Sequence, residues 1–380
     1  MALVLNEDQQ LLKSSAADFV KNESPVSRIR RLRDSQDPDG FSRELWAKIS
    51  QLGWPAILVP EQYDGLGMGF VEIACVFEEC GRNLVPEPLL SSAVLGASAV
   101  LGGGSEELKK EVLPSVADGS RLLALAQYER GARYDRCYCE TTATERGGNY
   151  VLSGEKALVI DGHTADQIVV VARVSGEVAD RDGLALFLVD RDTPGLEVVR
   201  QSTVHLGNAA IVRLGDVEVA AGRALGKPGD GAALLESVID AGTLALSAQM
   251  LGAMQATFEM TLDYLKTREQ FGVVIGTFQA LKHRAAKMFV EIELAKSAVL
   301  GAATALDDDP AAAAATVSLA KARCSDAGVL VGYEGIQMHG GIGMTDEHDV
   351  GFYAKYARAA EMTFGDAAYH RARYATLQGF

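Results

Sequence analysis

Two apolar stripes flanking one short polar connection constrain this chain more than any other feature. Upstream, Leu244, Leu251, Met254, Phe258, Leu262 and Leu265 recur at helical spacing; downstream, Phe278, Leu281, Ala285, Met288, Ile292, Ala295 and Val299 do the same. Steps of three and four place each set on one helix face. Gly272 and Gly276 break the pattern, so the spacing predicts two long packed helices joined by YLKTREQFGVVIGTFQ, residues 264–279. The connection carries Arg268, whose planar fork can hold an oxyanion. It also carries Phe271, which can cover a flat ring, and Gln279, which can both donate and accept.

The rest of the chain falls on either side of a change in period. Residues 1–121 read as helices: Asn6 caps the run from Glu7, and further helices are predicted over 41–52, 71–80, 89–101 and 106–117. Residues 122–228 turn β-rich, with strands predicted over 137–142, 150–152, 168–172, 184–189, 196–199 and 211–214, a spacing that suits a small antiparallel barrel or sandwich. From 229 to 380 the helical period returns. Val317, Ala320, Cys324, Ala327 and Val331 form a third stripe in this region, and Tyr353, Tyr356, Ala360, Phe364 and Ala367 a fourth, which together predict a four-helix bundle. The alanines at 311–315 are expected to be helical from Asp309-Pro310 onward. The fold class is α+β.

At 48% apolar content the 380 residues can bury a large core. A net charge of −15 argues against nucleic acid and against an anionic membrane surface as partners. The N-terminus MALVLNEDQQ has neither a basic nor an apolar leader region, and the chain reads as a soluble cytoplasmic protein. Cys137 and Cys139 read as packing residues on one strand face, with no metal site among the five cysteines. His339 and His348 are expected on the surface or in a loop. The acidic run at 307–309 is expected at a helix start or solvated turn.

An ordered set of segments resembles the acyl-CoA dehydrogenase family: LGWPAILVPEQYDGLG from Leu52, EECGR from Glu78, the 264–279 connection, and QMHGGIG from Gln337. The resemblance implies a helical N-terminal domain (1–121), a β-barrel middle domain (122–228) and a C-terminal four-helix bundle (229–380). It implies FAD as cofactor and an acyl-CoA thioester as substrate. Arg268, Gln270, Phe271, Ile275, Phe278 and Gln279, with Gln337, Gly340 and Gly341, fit the two segments that reach the FAD of a neighbouring subunit.

The same resemblance exposes what is missing. Removing an α-proton from a thioester requires a positioned carboxylate. Phe364 stands where the family's glutamate usually lies, and Gly242 stands at the alternative position; Asp366 and Asp240, each two residues away, are weak substitutes. In the β segment ALAQYERGAR, Ala126 replaces a threonine and Ala132 a serine. In GEKALVID, Leu158 replaces a tryptophan and Ile160 a flavin-edge hydroxyl. The pattern resembles the non-base subunit of actinobacterial heterotetrameric steroid-type acyl-CoA dehydrogenases. That implies a homologous partner subunit, or self-association into a tetramer, and an electron-transfer flavoprotein as electron acceptor. Two rival readings are a self-sufficient dehydrogenase using another carboxylate, and a non-redox binding or scaffold protein on the same fold.

Overall fold

The computed structural model describes residues 4–205 and 207–380. In chain order it contains α1 (Glu7–Glu23), α2 (Ser27–Asp34), α3 (Arg43–Gln51) and α4 (Phe70–Arg82), then a π-helical stretch (Leu89–Gly96) running into α5 (Ala97–Gly103), and α6 (Glu106–Ala117). Strands follow as β1 (Leu123–Ala126), β2 (Thr142–Arg146), β3 (Asn149–Ile160), β4 (Gln167–Arg173), β5 (Leu184–Asp190), β6 (Leu196–Ser202), β7 (Asn208–Ala220) and β8 (Ala224–Gly229). The chain ends with α7 (Ala232–Thr267), a small hairpin of β9 (Glu269–Gln270) and β10 (Val273–Val274), α8 (Gln279–Asp308), α9 (Ala314–His339), α10 (Val350–Met362) and α11 (Ala367–Leu377). Contacts group these into two compact units. One comprises Met1–Asp34, Phe70–Val85 and Thr243–Phe380; the other comprises Ser35–Gly69 and Pro86–Gly242.

The first unit is helical. Asn6 caps α1 through a reciprocal pair: its side chain accepts from the Gln9 amide at 2.8 Å and its own amide donates to the Gln9 side chain at 3.0 Å. The apolar stripes of α8 and α9 face inward, with Met288, Ala295, Val317, Ala320, Cys324 and Val331 all buried. Two glycines set the crossing of α4 with α7. A Cβ on Gly81 would overlap the Gln249 carbonyl, and one on Gly252 would overlap the Glu78 carbonyl. The EECGR segment therefore needs its glycine for close approach of two helix backbones. Asp307 lies near the C-terminal end of α8, where its carboxylate accepts from the Phe70 and Val71 amides at 2.6 and 3.1 Å and so caps α4. α7 is long and apolar enough to cross a membrane, but 78% of its most apolar window is buried inside the protein, as in a core helix.

The second unit is built on one sheet in the order β6-β7-β3-β2-β4-β5-β8, with β1 beside β4. Most pairings are antiparallel, as expected, but β1 runs parallel to β4 and β2 meets β4 parallel at Thr142 and Arg173, so the sheet is mixed. Its core is apolar and mostly aliphatic, with Leu152, Ile168, Val170, Val212 and Val217 buried together with the Phe187 ring. β3 and β7 are irregular, with register shifts between Leu152 and Gly154 and between Lys156 and Val159.

The strand expected over 137–142 does not form; only Thr142 enters a strand. Its backbone groups go mostly to side chains, while the Cys139 amide on the Val178 carbonyl and the Thr141 carbonyl under the Arg173 amide pair to main chain. Arg173 is buried and donates to the carbonyls of Cys137, Cys139, Ser175, Val178, Asp180 and Asp182. The Glu129 carboxylate takes the Glu140 and Thr141 amides at 2.6 and 3.0 Å. With no strand there, Cys137 and Cys139 do not share a strand face, although Cys139 is buried in packing. The alanine tract also starts later than expected. The Ala312 and Ala313 amides turn back onto the Asp309 carbonyl, and α9 begins only at Ala314.

Candidate functional site

The connection between α7 and α8 is an ordered, solvent-facing arm. The Arg268 amide closes α7 on the Tyr264 carbonyl at 2.9 Å, and the Ile275 amide returns to the Arg268 carbonyl at 2.8 Å. Between them β9 and β10 pair as a two-residue-loop hairpin, Gln270 opposite Val273. Its turn residues Phe271 and Gly272 both have positive φ, +56° and +78°. This geometry throws the Phe271 ring outward at 93% exposure, with the Phe278 ring edge-on at 6.2 Å. Arg268 and Gln279 are exposed, whereas the Gln270 side chain folds onto the Glu269 carbonyl at 2.7 Å. Ile275 is half-buried at the base of the arm.

The second arm starts where α9 ends. Gly340 has a φ of +64°, and a Cβ built on Gly340 or Gly341 meets nothing within 4 Å, so this backbone is open to a ligand. Gln337 is exposed and lines a cavity of about 570 Å³ with Tyr333, Met344, Phe352 and Lys355. The two arms share one root. His339, expected on the surface or in a loop, is 2% exposed. It lies 4.7 Å from the Tyr264 ring and 4.3 Å from the half-buried His348 ring, and its Nδ1 is 2.7 Å from the Gly335 carbonyl. Burial holds both imidazoles below their ordinary pKa, which favours the neutral rings that such a cluster requires.

Residue 364, where the family resemblance leads one to expect a glutamate, lies in a helix break. The fourth stripe was expected to continue through Ala367, but α10 stops at Met362 and α11 starts at Ala367. Phe364 and Gly365 fill the turn with φ of +60° and +115°. The break is held from below by Lys321, which is fully buried. Its Nζ lies 2.9 Å from the Glu361 carbonyl, 2.8 Å from the Gly365 carbonyl and 3.1 Å from Ser325 Oγ. The buried His370 ring meets the Phe364 carbonyl at 3.1 Å. Asp366 is the N-cap of α11, its carboxylate accepting from the Tyr369 amide at 2.8 Å. Asp240 is buried and ion-paired with Arg136 at 2.8 Å. Gly242 is buried on α7. Asp366 and Asp240 therefore both have structural partners.

In the sheet unit, the segments 124–133 and 154–161 lie together, with the Ala157 amide on the Tyr128 carbonyl at 2.9 Å. Ala126 is buried. Leu158 sits at positive φ, +50°, with 53% of its surface exposed. Beneath them is a buried ion pair. Lys156 Nζ is 2.5 Å from Glu129 Oε1 and 3.4 Å from Cys139 Sγ, and the Thr141 hydroxyl donates to the same carboxylate oxygen at 2.7 Å. Burial pushes the Glu129 pKa up, but Lys156 and these donors outweigh it and hold the carboxyl below its ordinary range.

Asp161, at the end of this strand, is a different case. It is buried and accepts from Ser91 Oγ at 2.6 Å, and burial pushes its pKa up to about 7. The folded state then keeps a proton that the unfolded chain releases near the ordinary aspartate value, so stability falls as pH rises from about 4 to about 7. A neutral amide in place of this carboxyl carries no such burden. The Asp161→Asn protein is expected to gain about 2 kcal/mol or more over the parent at pH 8 and little at pH 4. Parallel pH–stability curves for the two proteins, measured by urea unfolding, would contradict this.

Three family models match in chain order: acyl-CoA dehydrogenase N-terminal domain over residues 6–120, middle domain over 124–218 and C-terminal domain over 229–376. The probable acyl-CoA dehydrogenase YngJ of Bacillus subtilis (strain 168) is 31% identical over 378 residues, 98% of each chain. The chain belongs to the acyl-CoA dehydrogenase family. Two solved structures of family members are similar over nearly the whole length. A variant of the Tcur3481-Tcur3483 steroid ACAD has a TM-score of 0.88 and 30% identity over 98% of each chain. The ChsE4-ChsE5 complex from Mycobacterium tuberculosis has a TM-score of 0.89 and 30% identity over 100% of each chain.

In this member of the acyl-CoA dehydrogenase family, sequence reasoning missed Glu129, Lys156, Arg173 and Lys321, the charged groups that hold these segments in shape. A signal existed for Lys321. It lies four residues after Val317 and three before Cys324, both on the inward stripe, so the spacing that defines the stripe also turns Lys321 inward.

Proposed function

We propose that this chain is a subunit of a flavin-dependent acyl-CoA dehydrogenase that completes a partner subunit's FAD site and supplies no proton-abstracting carboxylate of its own. The observation that carries the reading is the Phe364–Gly365 turn. An aromatic residue stands at the base position, and the neighbouring Asp366 is committed to capping α11. Asp240 offers no better base, being buried against Arg136.

The two arms fit a dinucleotide contributed by another chain. Arg268 offers donors to a pyrophosphate oxygen, Phe271 an unshielded ring face, and Gln279 and Gln337 amide groups. Gly340 and Gly341 leave backbone uncovered for close approach. FAD, when bound, would accept hydride from the acyl β-carbon. The chain's own sheet face fits a flavin poorly. Ala126, Leu158 and Ile160 put apolar groups where hydroxyls and an aromatic ring stand in the wider family, and Glu129 is consumed by Lys156.

By likeness to the Tcur3481-Tcur3483 steroid ACAD and the ChsE4-ChsE5 complex, we propose a steroid-type acyl-CoA as substrate and a homologous chain as partner. Electrons would then leave through an electron-transfer flavoprotein. The test is flavin stoichiometry. The chain purified alone is expected to hold little FAD, and co-purified with its partner roughly half a flavin per chain, one for each pair. One FAD per chain in the isolated protein, with acyl-CoA-dependent dye reduction, would favour a self-sufficient enzyme. No FAD in any assembly would favour a scaffold.

A further inference from the structure

We propose that Arg136 forms the core of a carboxylate-binding site. Arg136 lies in the segment between Glu129 and Cys137, which has no strand pairing. The segment proceeds by turns: the Ala132 amide donates to the Glu129 carbonyl, the Asp135 amide to the Ala132 carbonyl, and the Cys137 amide to the Asp135 carboxylate. Both ends are fixed, by Lys156 on Glu129 and by Arg173 on the Cys137 carbonyl. The Arg136 side chain is only 8% exposed. A well-anchored segment thus holds a charged group out of water.

Only one edge of its guanidinium is used. Nη1 meets Asp240 Oδ1 at 2.8 Å and the Glu236 carbonyl at 3.4 Å. Nε and Nη2 are buried and have no acceptor among the described residues. These two are the parallel N–H pair of the guanidinium, spaced to grip two oxygens of one planar group side-on. A buried donor pair of a cation left unmatched is costly. A lysine would serve Asp240 as a point charge without that cost, so the choice of arginine is explained by an oxygen acceptor that the free fork receives.

Local charge narrows the class of ligand. Arg136 is already balanced by Asp240, and the neighbouring Arg181 by a two-pronged pair with Glu236. With both arginines paired, these four residues carry no surplus positive charge, which disfavours a dianionic phosphate. A singly charged carboxylate matches both the two-donor geometry and the charge. The segment that carries Arg136 is held by turns and not by a ladder, so a local shift of those turns is the route by which a ligand would reach the fork.

The test uses the full chain and acetate as probe. Thermal midpoints are followed against acetate concentration at constant ionic strength made up with chloride, for the parent, Arg136→Lys and Asp240→Asn. Acetate is expected to raise the parent midpoint saturably. Arg136→Lys keeps a cation for Asp240 but loses the fork, so its apparent acetate affinity should fall at least tenfold. Asp240→Asn removes a competing negative charge, so its affinity should rise several-fold. That variant keeps the question open to measurement should Arg136→Lys fail to fold. The proposal is overturned by an acetate response no greater than chloride, by an unchanged response in Arg136→Lys, or by an unchanged or weaker one in Asp240→Asn. Inorganic phosphate binding tenfold tighter than acetate would overturn the assignment to a carboxylate.

Discussion

Lys156→Met is expected to lower the unfolding free energy by about 3–5 kcal/mol, the cost of leaving a buried carboxylate without its counter-charge. Glu129 would keep four donors, the Glu140 amide, the Thr141 amide, the Thr141 hydroxyl and the Cys139 thiol, but no cation. Both partners are almost wholly enclosed, at 0% and 3% side-chain exposure, so water cannot substitute. The double variant Glu129→Gln with Lys156→Met removes both charges and should recover most of the loss, to within about 1–2 kcal/mol of the parent. Urea midpoints for the four proteins of this cycle give the coupling directly. Additive losses from the two single changes would show that the pair is not a unit.

The second large effect concerns Lys321. Burial lowers its pKa to about 7, so near neutrality and above the folded chain holds a neutral amine. That amine is still fully matched. Two N–H groups serve the Glu361 and Gly365 carbonyls, and the lone pair can accept from the Ser325 hydroxyl. Lys321→Met strips both carbonyls of their donor, a loss expected to show in full, at about 2–3 kcal/mol, only near the ordinary lysine pKa and above, where the parent no longer bears the cost of holding this amine neutral. The pH dependence has a definite sign. Between about 7 and the ordinary lysine value of 10.5 the unfolded chain binds the extra proton, so parent stability rises with pH across that interval. The methionine variant lacks this rise, so the parent should gain stability relative to it from pH 7 to pH 9. A difference that stays constant or moves the other way would mean that Lys321 remains charged in the folded protein.

Much of the architecture was readable because long helices advertise themselves. The stripes on α8 and α9 repeat often enough that a stray polar residue does not hide them, and Asn6 announced the start of α1 at the residue where it begins. The arms were also readable, because Gly272, Gly340 and Gly341 punctuate helices that would otherwise continue. What failed was local. The residues at 137–142 have strand composition, yet the side chains of Arg173 and Glu129, which lie outside the segment, take most of their backbone groups and no regular ladder forms. The apolar period runs unbroken through Phe364 to Ala367, but Gly365 at +115° and the capping carboxylate of Asp366 end the helix between them. α2 escaped notice because SRIRRLRD buries little beyond Arg28 and Ile29. In each case a few side chains decide the backbone path, and a periodicity argument averages over just those residues.

The crossing of α4 and α7 bears on how this lineage can vary. Gly81 and Gly252 each face a main-chain oxygen of the opposite helix, so the two helices are held apart by peptide groups and not by side-chain volume. Elsewhere in a bundle, drift can exchange one aliphatic residue for another and let the neighbours readjust. Here the smallest possible addition, one methyl group, has nowhere to go, and no second substitution can shave a carbonyl to make room. These two sites should therefore stay fixed among descendants whose ligands and partners have otherwise diverged.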